Sequence, residues 1–338
     1  MAKPRSFKSA LDDAAKHQYP LSILLGNGFS RAFSNEFGYE TLRSVAKMPD
    51  LTVSKDKLFQ QAGTDDFETV MRNLQQSADL LKLYEPHNTA LGRALRADAL
   101  VVRDGLVETL IAIHPPAAQK IEDEKYQAAR KFLSPFKRIF TINYDLLLYW
   151  TVLRRYLSPP SVVVKDGFGR TGQGSLTWSQ PSRADEQEIF YLHGAMHLYV
   201  EDHRLRKIQV PRGQMVERLR SNLEAGRYPL VVTEGSSLDK QLRIERSAYL
   251  TYCRKRLARS AGALFIHGMA MSDNDHHILD AITRSRIEAI YIGLHGCPSV
   301  ACATIRAKAQ ELARNRKAKG GRTLRVQFYD SGTASVWG

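Results

Sequence analysis

Cysteine is scarce: the chain of 338 residues has three, at Cys253, Cys297 and Cys302. Their number is odd and no CxxC pair occurs. That excludes a zinc ribbon of cysteine pairs and argues against a disulfide framework. Long apolar runs are missing too. None approaches the roughly 20 residues that a membrane helix needs, so no membrane association is expected. No internal repeat or low-complexity tract is present, which excludes solenoids and disordered tracts. Residues 1–8 are charged and lack the apolar stretch of a signal peptide, which makes the cytoplasm the expected compartment. Negative charge is in short supply, with 35 acidic against 49 basic residues and a net charge of +14. A basic surface attracts nucleic acid, anionic nucleotides or an acidic partner. The cations are scattered, however, at Lys137-Arg138, Arg154-Arg155, residues 204–207, Arg254-Lys255-Arg256 and residues 314–319. Most fall where helix faces are expected and read as solvated surface. The last run closes a helix, where cations meet the negative end of the dipole. No known nucleic-acid module is visible.

What is present is a globular pattern, 43% hydrophobic, with enough apolar residues for a sizeable core. Apolar runs at Leu21–Leu25 and at 139–141, 230–233, 263–267 and 289–292 read as strands. A further run at 324–328 alternates like an edge strand. Amphipathic helical patterns lie between them. Such alternation predicts an α/β fold, with a Rossmann-like parallel sheet flanked by helices. Residues 1–338 read as a single domain. Residues 40–131 read as a helical insertion between the first and second strands, with Phe67, Val70, Met71, Leu74, Leu80 and Leu81 at helix spacing. A second stretch at 91–113 repeats that spacing, and Pro115-Pro116 ends it. The stretch 158–185, with Gly167, Gly169, Gly172 and Gly174, reads either as a mobile cover or as an ordinary surface loop.

Four segments share one pattern, an apolar run that stops abruptly in small or polar residues. In open α/β sheets, ligands sit beyond such carboxyl ends of strands. The first segment is Gly26-Asn27-Gly28-Phe29-Ser30. Its glycines allow a sharp turn and let phosphates approach backbone amides, and Ser30 caps the next helix or donates to a phosphate. The second is Thr141-Ile142-Asn143-Tyr144-Asp145, where Asp145 equally suits a helix N-cap. The third ends in His193-Gly194, a well-placed proton acceptor or else a satisfied core histidine. The fourth runs from Gly268 through Ser272 and Asp273 to Asp275, with His276 and His277 following. A metal site drawn from His267, Asp273, Asp275, His276 and His277 is the weaker reading there. The spacing suits a strand end and a helix start better than one coordination sphere.

Taken together, in this order, the four segments resemble the sirtuin-like family. The first matches its glycine-rich loop, the second its TxNxD motif, the third its catalytic His-Gly, and the fourth its later Gly/Ser segment. Asp66-Phe67-Glu68 is similar to an acidic-aromatic element of bacterial sirtuin-like proteins. The deacylases of that family carry a zinc ribbon of two cysteine pairs, which this chain lacks. The resemblance therefore implies the bacterial branch that hydrolyses NAD, often in anti-phage defence. It implies that Asn143 holds the nicotinamide ribose and a water, that His193 is the general base, and that Asp145 orients the neighbourhood. It implies a nucleotide site of Gly26, Asn27, Gly28, Phe29, Ser30, Thr141, Gly268, Ser272 and Asp273, in which Gly26, Gly28 and Ser30 cradle the pyrophosphate and Ser272 with Asp273 the adenosine side. NAD is then a substrate, with no prosthetic group and no metal. A latent enzyme without a sensor domain implies a homo-oligomer, or a companion subunit that senses a nucleotide, and the charge leaves nucleic acid open as a partner. Three rivals stand beside this reading: a non-enzymatic NAD or ADP-ribose sensor, an ADP-ribosyltransferase, and a phosphoesterase acting on nucleic acid.

Overall fold

The computed structural model describes residues 4–159, 162–170, 176–183, 185–209, 214–233 and 237–338. Among these, the strands in chain order are β1 (Arg5–Ser6), β2 (Leu21–Leu25), β3 (Arg138–Thr141), β4 (Phe168–Arg170), β5 (Leu176–Trp178), β6 (Ile189–Tyr191), β7 (Gly194–Glu201), β8 (Arg204–Lys207), β9 (Pro229–Val231), β10 (Ala261–His267), β11 (Arg286–Leu294) and β12 (Arg325–Asp330). Seven of them form one parallel sheet in the order β1-β12-β11-β10-β2-β3-β6. Helices lie along it, so this is the expected Rossmann-like α/β architecture. Strands buried on both faces read as continuous apolar runs. Ile23, Leu24 and Leu25 are fully buried, as are Ile139, Phe140 and residues 263–266. Aromatic pairs tie neighbouring strands, with Phe265 stacked on Tyr291 at 4.6 Å and Phe140 on Phe190 at 4.8 Å.

Strand order decides where a site can form. From β2 the chain continues outward through β3 to β6, whereas β10, β11 and β12 extend the sheet the other way. The reversal falls between β2 and β10, and a crevice opens beyond the carboxyl ends of strands at such a point.

The helices before the reversal are α1 (Phe7–Lys16), α2 (Gly28–Arg31), α3 (Tyr39–Val45), α4 (Lys55–Ala62), α5 (Phe67–Tyr84), α6 (Thr89–Ile113), α7 (Asp123–Leu133) and α8 (Leu147–Leu153). After it come α9 (Met215–Glu224), α10 (Ser237–Glu245), α11 (Ala248–Ala258), α12 (His276–Arg284) and α13 (Val300–Ala318). Helices α3 to α7 fill the interval between β2 and β3. Asp66 caps α5 by accepting the Glu68 N–H at 3.0 Å. Phe67, Val70, Met71 and Leu74 face the core as their spacing predicts, but Leu80 is exposed and Ala78 takes the buried position instead. No helix among the described residues is long and apolar enough to cross a membrane.

Four expectations need correction. The run at 230–233 is not in the parallel sheet. Its strand β9 belongs to a second, antiparallel sheet ordered β4-β5-β8-β7-β9. A three-residue apolar strand carries no mark of its partner, so the choice of sheet is tertiary. The stretch 158–185 is not simply loop, because β4 and β5 pair within it; Gly172 and Gly174 lie outside the described residues. Strand β12 is also not the edge, because the two-residue β1 pairs along its outer side. The fourth correction concerns cysteine. Cys297 and Cys302 are joined in a disulfide across the turn that opens α13, and Cys253 is the free, buried one. The odd count concealed a single local bridge.

Candidate active site

The glycine turn after β2 and the glycine after β10 are built against each other. Gly26 N–H donates to the His267 carbonyl and Gly28 N–H to the Gly268 carbonyl, each at 2.9 Å. The contact is so close that a Cβ on Gly28 would lie 2.4 Å from the Gly268 Cα. Gly268 has φ +70°, which favours glycine independently. These two amides are therefore engaged by the neighbouring strand and are not donors to a phosphate, contrary to the sequence expectation. Of the turn, the Asn27 amide makes no backbone bond among the described residues. The Asn27 side chain donates to the Phe37 carbonyl at 3.1 Å.

Ser30 and Phe29 also differ from expectation. Ser30 is fully buried and does not cap α2. Its Oγ donates to Asp145 Oδ2 at 2.5 Å and accepts from Asn143 Nδ2 at 2.9 Å. The Phe29 ring is a core element against Trp337 and Phe132, with centroids at 5.2 and 6.4 Å. Asp145 holds two things at once, because its Oδ1 also accepts the Leu147 N–H at 2.9 Å at the start of α8. It thus ties the end of β3 to the glycine turn.

Asn143 is fixed by the same network. Its backbone N–H donates to Thr141 Oγ1 at 3.0 Å, and its Nδ2 donates to the Gly26 carbonyl at 3.1 Å as well as to Ser30. A carboxamide nitrogen has two hydrogens, and both are used. The amide orientation follows from the network, and Oδ1 remains as an acceptor.

His193 sits in the link between the two sheets, after β6 and before β7. Leu192 N–H donates to the Thr141 carbonyl at 2.8 Å, and the His193 carbonyl accepts from Val232 at 2.9 Å. Gly194 turns the chain with φ +77°, where a Cβ would lie 1.9 Å from the Leu230 carbonyl oxygen. His193 Nε2 is 2.8 Å from His277 Nε2 and 4.0 Å from Asp275 Oδ1.

One cavity joins these elements. Asn27, Asn143, Asp145, His193 and Asp275 line it from the sheet side, and Phe37, Tyr39, Leu42, Glu68, Leu106 and Leu110 from the helices between β2 and β3. Of the expected nucleotide-binding residues Asn27 lines it, whereas Gly26, Gly28, Phe29, Ser30, Thr141, Gly268, Ser272 and Asp273 do not. Ser272 Oγ donates to Asp275 Oδ2 at 3.4 Å, and Asp273 pairs at the surface with Lys308 at 2.6 Å.

The sequence reading missed a buried charge cluster on the cavity wall. Lys240, on α10, is fully buried between Glu68 Oε2 at 2.5 Å and Asp275 Oδ1 at 3.3 Å. Tyr144 OH donates to Glu68 Oε1 at 2.5 Å. Only Asp66-Phe67-Glu68 gave any signal, since a lysine on an amphipathic helix normally marks a solvated face. Of the residues considered for a metal, His267 turns to Tyr329 OH at 3.0 Å and Asp273 to Lys308. His193, Asp275 and His277 do converge, with ligand atoms within 4.8 Å of one another. The Lys240 ammonium already occupies the cationic position beside Asp275, and a second cation there would meet it in a low-dielectric site. The trio is better described as a hydrogen-bonded part of the charge cluster.

Burial sets the protonation of this wall. It pushes the His193 imidazole well below the usual range, and Lys240 and His277 push the same way. His277 is lowered to about 3, by burial first and then by Lys240. Burial works against the Lys240 charge, but Glu68 and Asp275 outweigh it and raise its pKa. His193 is therefore neutral near pH 7 and able to accept a proton.

The buried histidines predict acid lability. His267, lowered by burial to about 4, and His277, lowered to about 3, both titrate near 6.5 when unfolded. Below pH 6.5 the unfolded chain binds the protons, so stability falls with pH until the folded values are reached. Between pH 7.5 and 5.5 each histidine withdraws on the order of 1 kcal/mol. His193 and His197 are displaced in the same direction and add to this. Thermal unfolding at the two pH values checks it, with a lower midpoint expected at pH 5.5 and an unchanged one contradicting it.

A search of curated proteins finds no match for this chain. Among solved structures, one described as "Structural Basis for the Mechanism and Regulation of Sir2 Enzymes" aligns over 91% of this chain and 98% of its own, at 12% identity and a TM-score of 0.35. So loose a superposition carries no residue roles across. A family profile described as "Domain of unknown function (DUF4917)" matches residues 23–337, from within β2 almost to the last residue. The chain belongs to this family of domains of unknown function.

Proposed function

We propose that the protein hydrolyses NAD at the nicotinamide–ribose bond, releasing nicotinamide and ADP-ribose. The observation that carries this reading is the single cavity into which Asn27, Asn143 and His193 all open, at the carboxyl ends of three neighbouring parallel strands. Cleavage of an N-glycosidic bond passes through an oxocarbenium-like state. Nicotinamide leaves as a neutral molecule because the bonding pair quenches its ring charge, so no strong acid is needed. The site has to hold the ribose and deliver water to C1′. Asn143 Oδ1 accepts from that water or from a ribose hydroxyl, held in orientation by its two donor bonds. His193, neutral and buried, takes the proton that the water loses. Asp145 acts through Ser30 and α8, keeping Asn143 and the glycine turn in register. The Asn27 amide, on the cavity wall, is the turn donor left for the pyrophosphate.

In this reading the enzyme is a latent effector of anti-phage defence, released by a companion subunit to deplete cellular NAD. The deciding experiment incubates the chain with NAD carrying label in the adenosine half. It is run both with purified protein and in cells expressing the chain with its genomic neighbours. Nicotinamide and free labelled ADP-ribose are expected in equal amounts. Label on a macromolecule means transferase activity. NAD that binds and stays intact in both settings means a sensor, and the hydrolase reading then fails.

A further inference from the structure

The nearest partner of His193 is a second histidine, and its placement goes beyond a base and a water. His277 opens α12, on the opposite side of the β2/β10 reversal from His193. The two rings stack at 27° with centroids 5.0 Å apart, and the 2.8 Å contact runs between their Nε2 atoms. A short contact between two neutral imidazoles requires one proton between the two nitrogens. Behind His277, the Ser237 Oγ lies 3.2 Å from Nδ1 and accepts the His277 backbone N–H at 2.9 Å.

We propose that His277 is a positioning residue that locks His193 in the tautomer bearing its proton on Nε2, so that Nδ1 is the nitrogen offered to the substrate. The pairing is read from the geometry, and the direction of its hydrogen bonds rests on the hydrolase reading, which needs a free lone pair on His193. The hydrogen bonds run in one direction: His193 Nε2–H donates to His277 Nε2, and His277 Nδ1–H donates to Ser237 Oγ. No other arrangement leaves a His193 lone pair outside the pair, because its Nε2 already faces His277. During hydrolysis the water oxygen bonds to C1′, the C1′–N pair departs with nicotinamide, and the water proton goes to His193 Nδ1. The positive charge that forms is met by His277 as acceptor and by the Asp275 carboxylate 4.0 Å from Nε2. Glu68 and Asp275 flank Lys240 beside it, at 2.5 and 3.3 Å.

Imidazole nitrogen NMR of the full-length chain reads the tautomer directly, with no need for turnover. In the wild type His193 should appear as the Nε2–H form. In His277→Ala it should average over both forms, and in His277→Gln, which keeps an acceptor at similar reach, it should return to Nε2–H. With NAD as substrate, His277→Ala should lower kcat by roughly 10- to 100-fold, the share that an orienting partner supplies, with KM little changed. His277→Gln should recover most of that loss. An Nδ1–H tautomer in the wild type, or a tautomer indifferent to His277→Ala, overturns the proposal. A wild-type chain inert toward NAD overturns the hydrolase reading instead, and the NMR result still decides the pairing.

Discussion

His193→Ala is expected, if the protein hydrolyses NAD as proposed, to lower the rate of nicotinamide release by about 10²–10⁴-fold, the usual contribution of a positioned general base. The fold tolerates the change better than the chemistry does. The backbone of His193 is held independently of its ring, through the Leu192 and Val232 hydrogen bonds and the Gly194 turn. Loss of the ring also leaves His277 Nε2 without its partner, which costs some stability and leaves the cavity wall standing. Asn143→Ala is expected to be as damaging to turnover for a different reason. It removes the acceptor that meets the water and at the same time frees the Gly26 carbonyl and Ser30 Oγ. Asn143→Asp should not rescue it, because a carboxylate cannot donate to either group and brings a second negative charge close to Asp145. Product formation by liquid chromatography, on variants whose circular dichroism matches the wild type, is the measurement. Either alanine variant turning over NAD at the wild-type rate refutes the assignment.

The second large effect is structural. Gly268→Ala is expected to lower the thermal midpoint by on the order of 5 °C, the result of a few kcal/mol in a chain of this size. Two causes add. Alanine at φ +70° is strained. The new methyl would lie 2.4 Å from the Gly28 Cα, against backbone that a hydrogen-bonded strand end cannot easily move. Gly169→Ala is the control. It lies in β4 with nothing within 4 Å of the added methyl, and its midpoint should stay close to that of the wild type. Calorimetry on both variants decides between them. Equal midpoints would mean that the two glycine turns do not bear on each other as the structure shows.

These two glycines also mark how the sequence reading and the structure differ. Gly26-Asn27-Gly28 was legible as a turn because an apolar strand ends there, and the parallel sheet was legible because its strands are apolar on both faces. The partner of the turn was not legible. Gly268 is 240 residues away from Gly28, and nothing local in either segment says that one will pack on the other. Glycine was read as room for a phosphate, whereas here the neighbouring backbone fills that room.

The sequence by itself determined the elements: strands β2, β3 and β10, the helical stretch before β3, and polar residues poised at strand ends. Each of these depends on residues within about ten positions of one another, where periodicity and turn chemistry act. Tertiary structure alone decided the strand order that opens the crevice between β2 and β10 and the assignment of β9 to a second sheet. It alone turned Phe29 and Ser30 inward, and joined Glu68, Lys240, Asp275 and His277 around His193. Those outcomes depend on which distant surfaces bury each other. A buried lysine or an unusually paired histidine has no local pattern, because its partners come from segments that only the packed chain brings together.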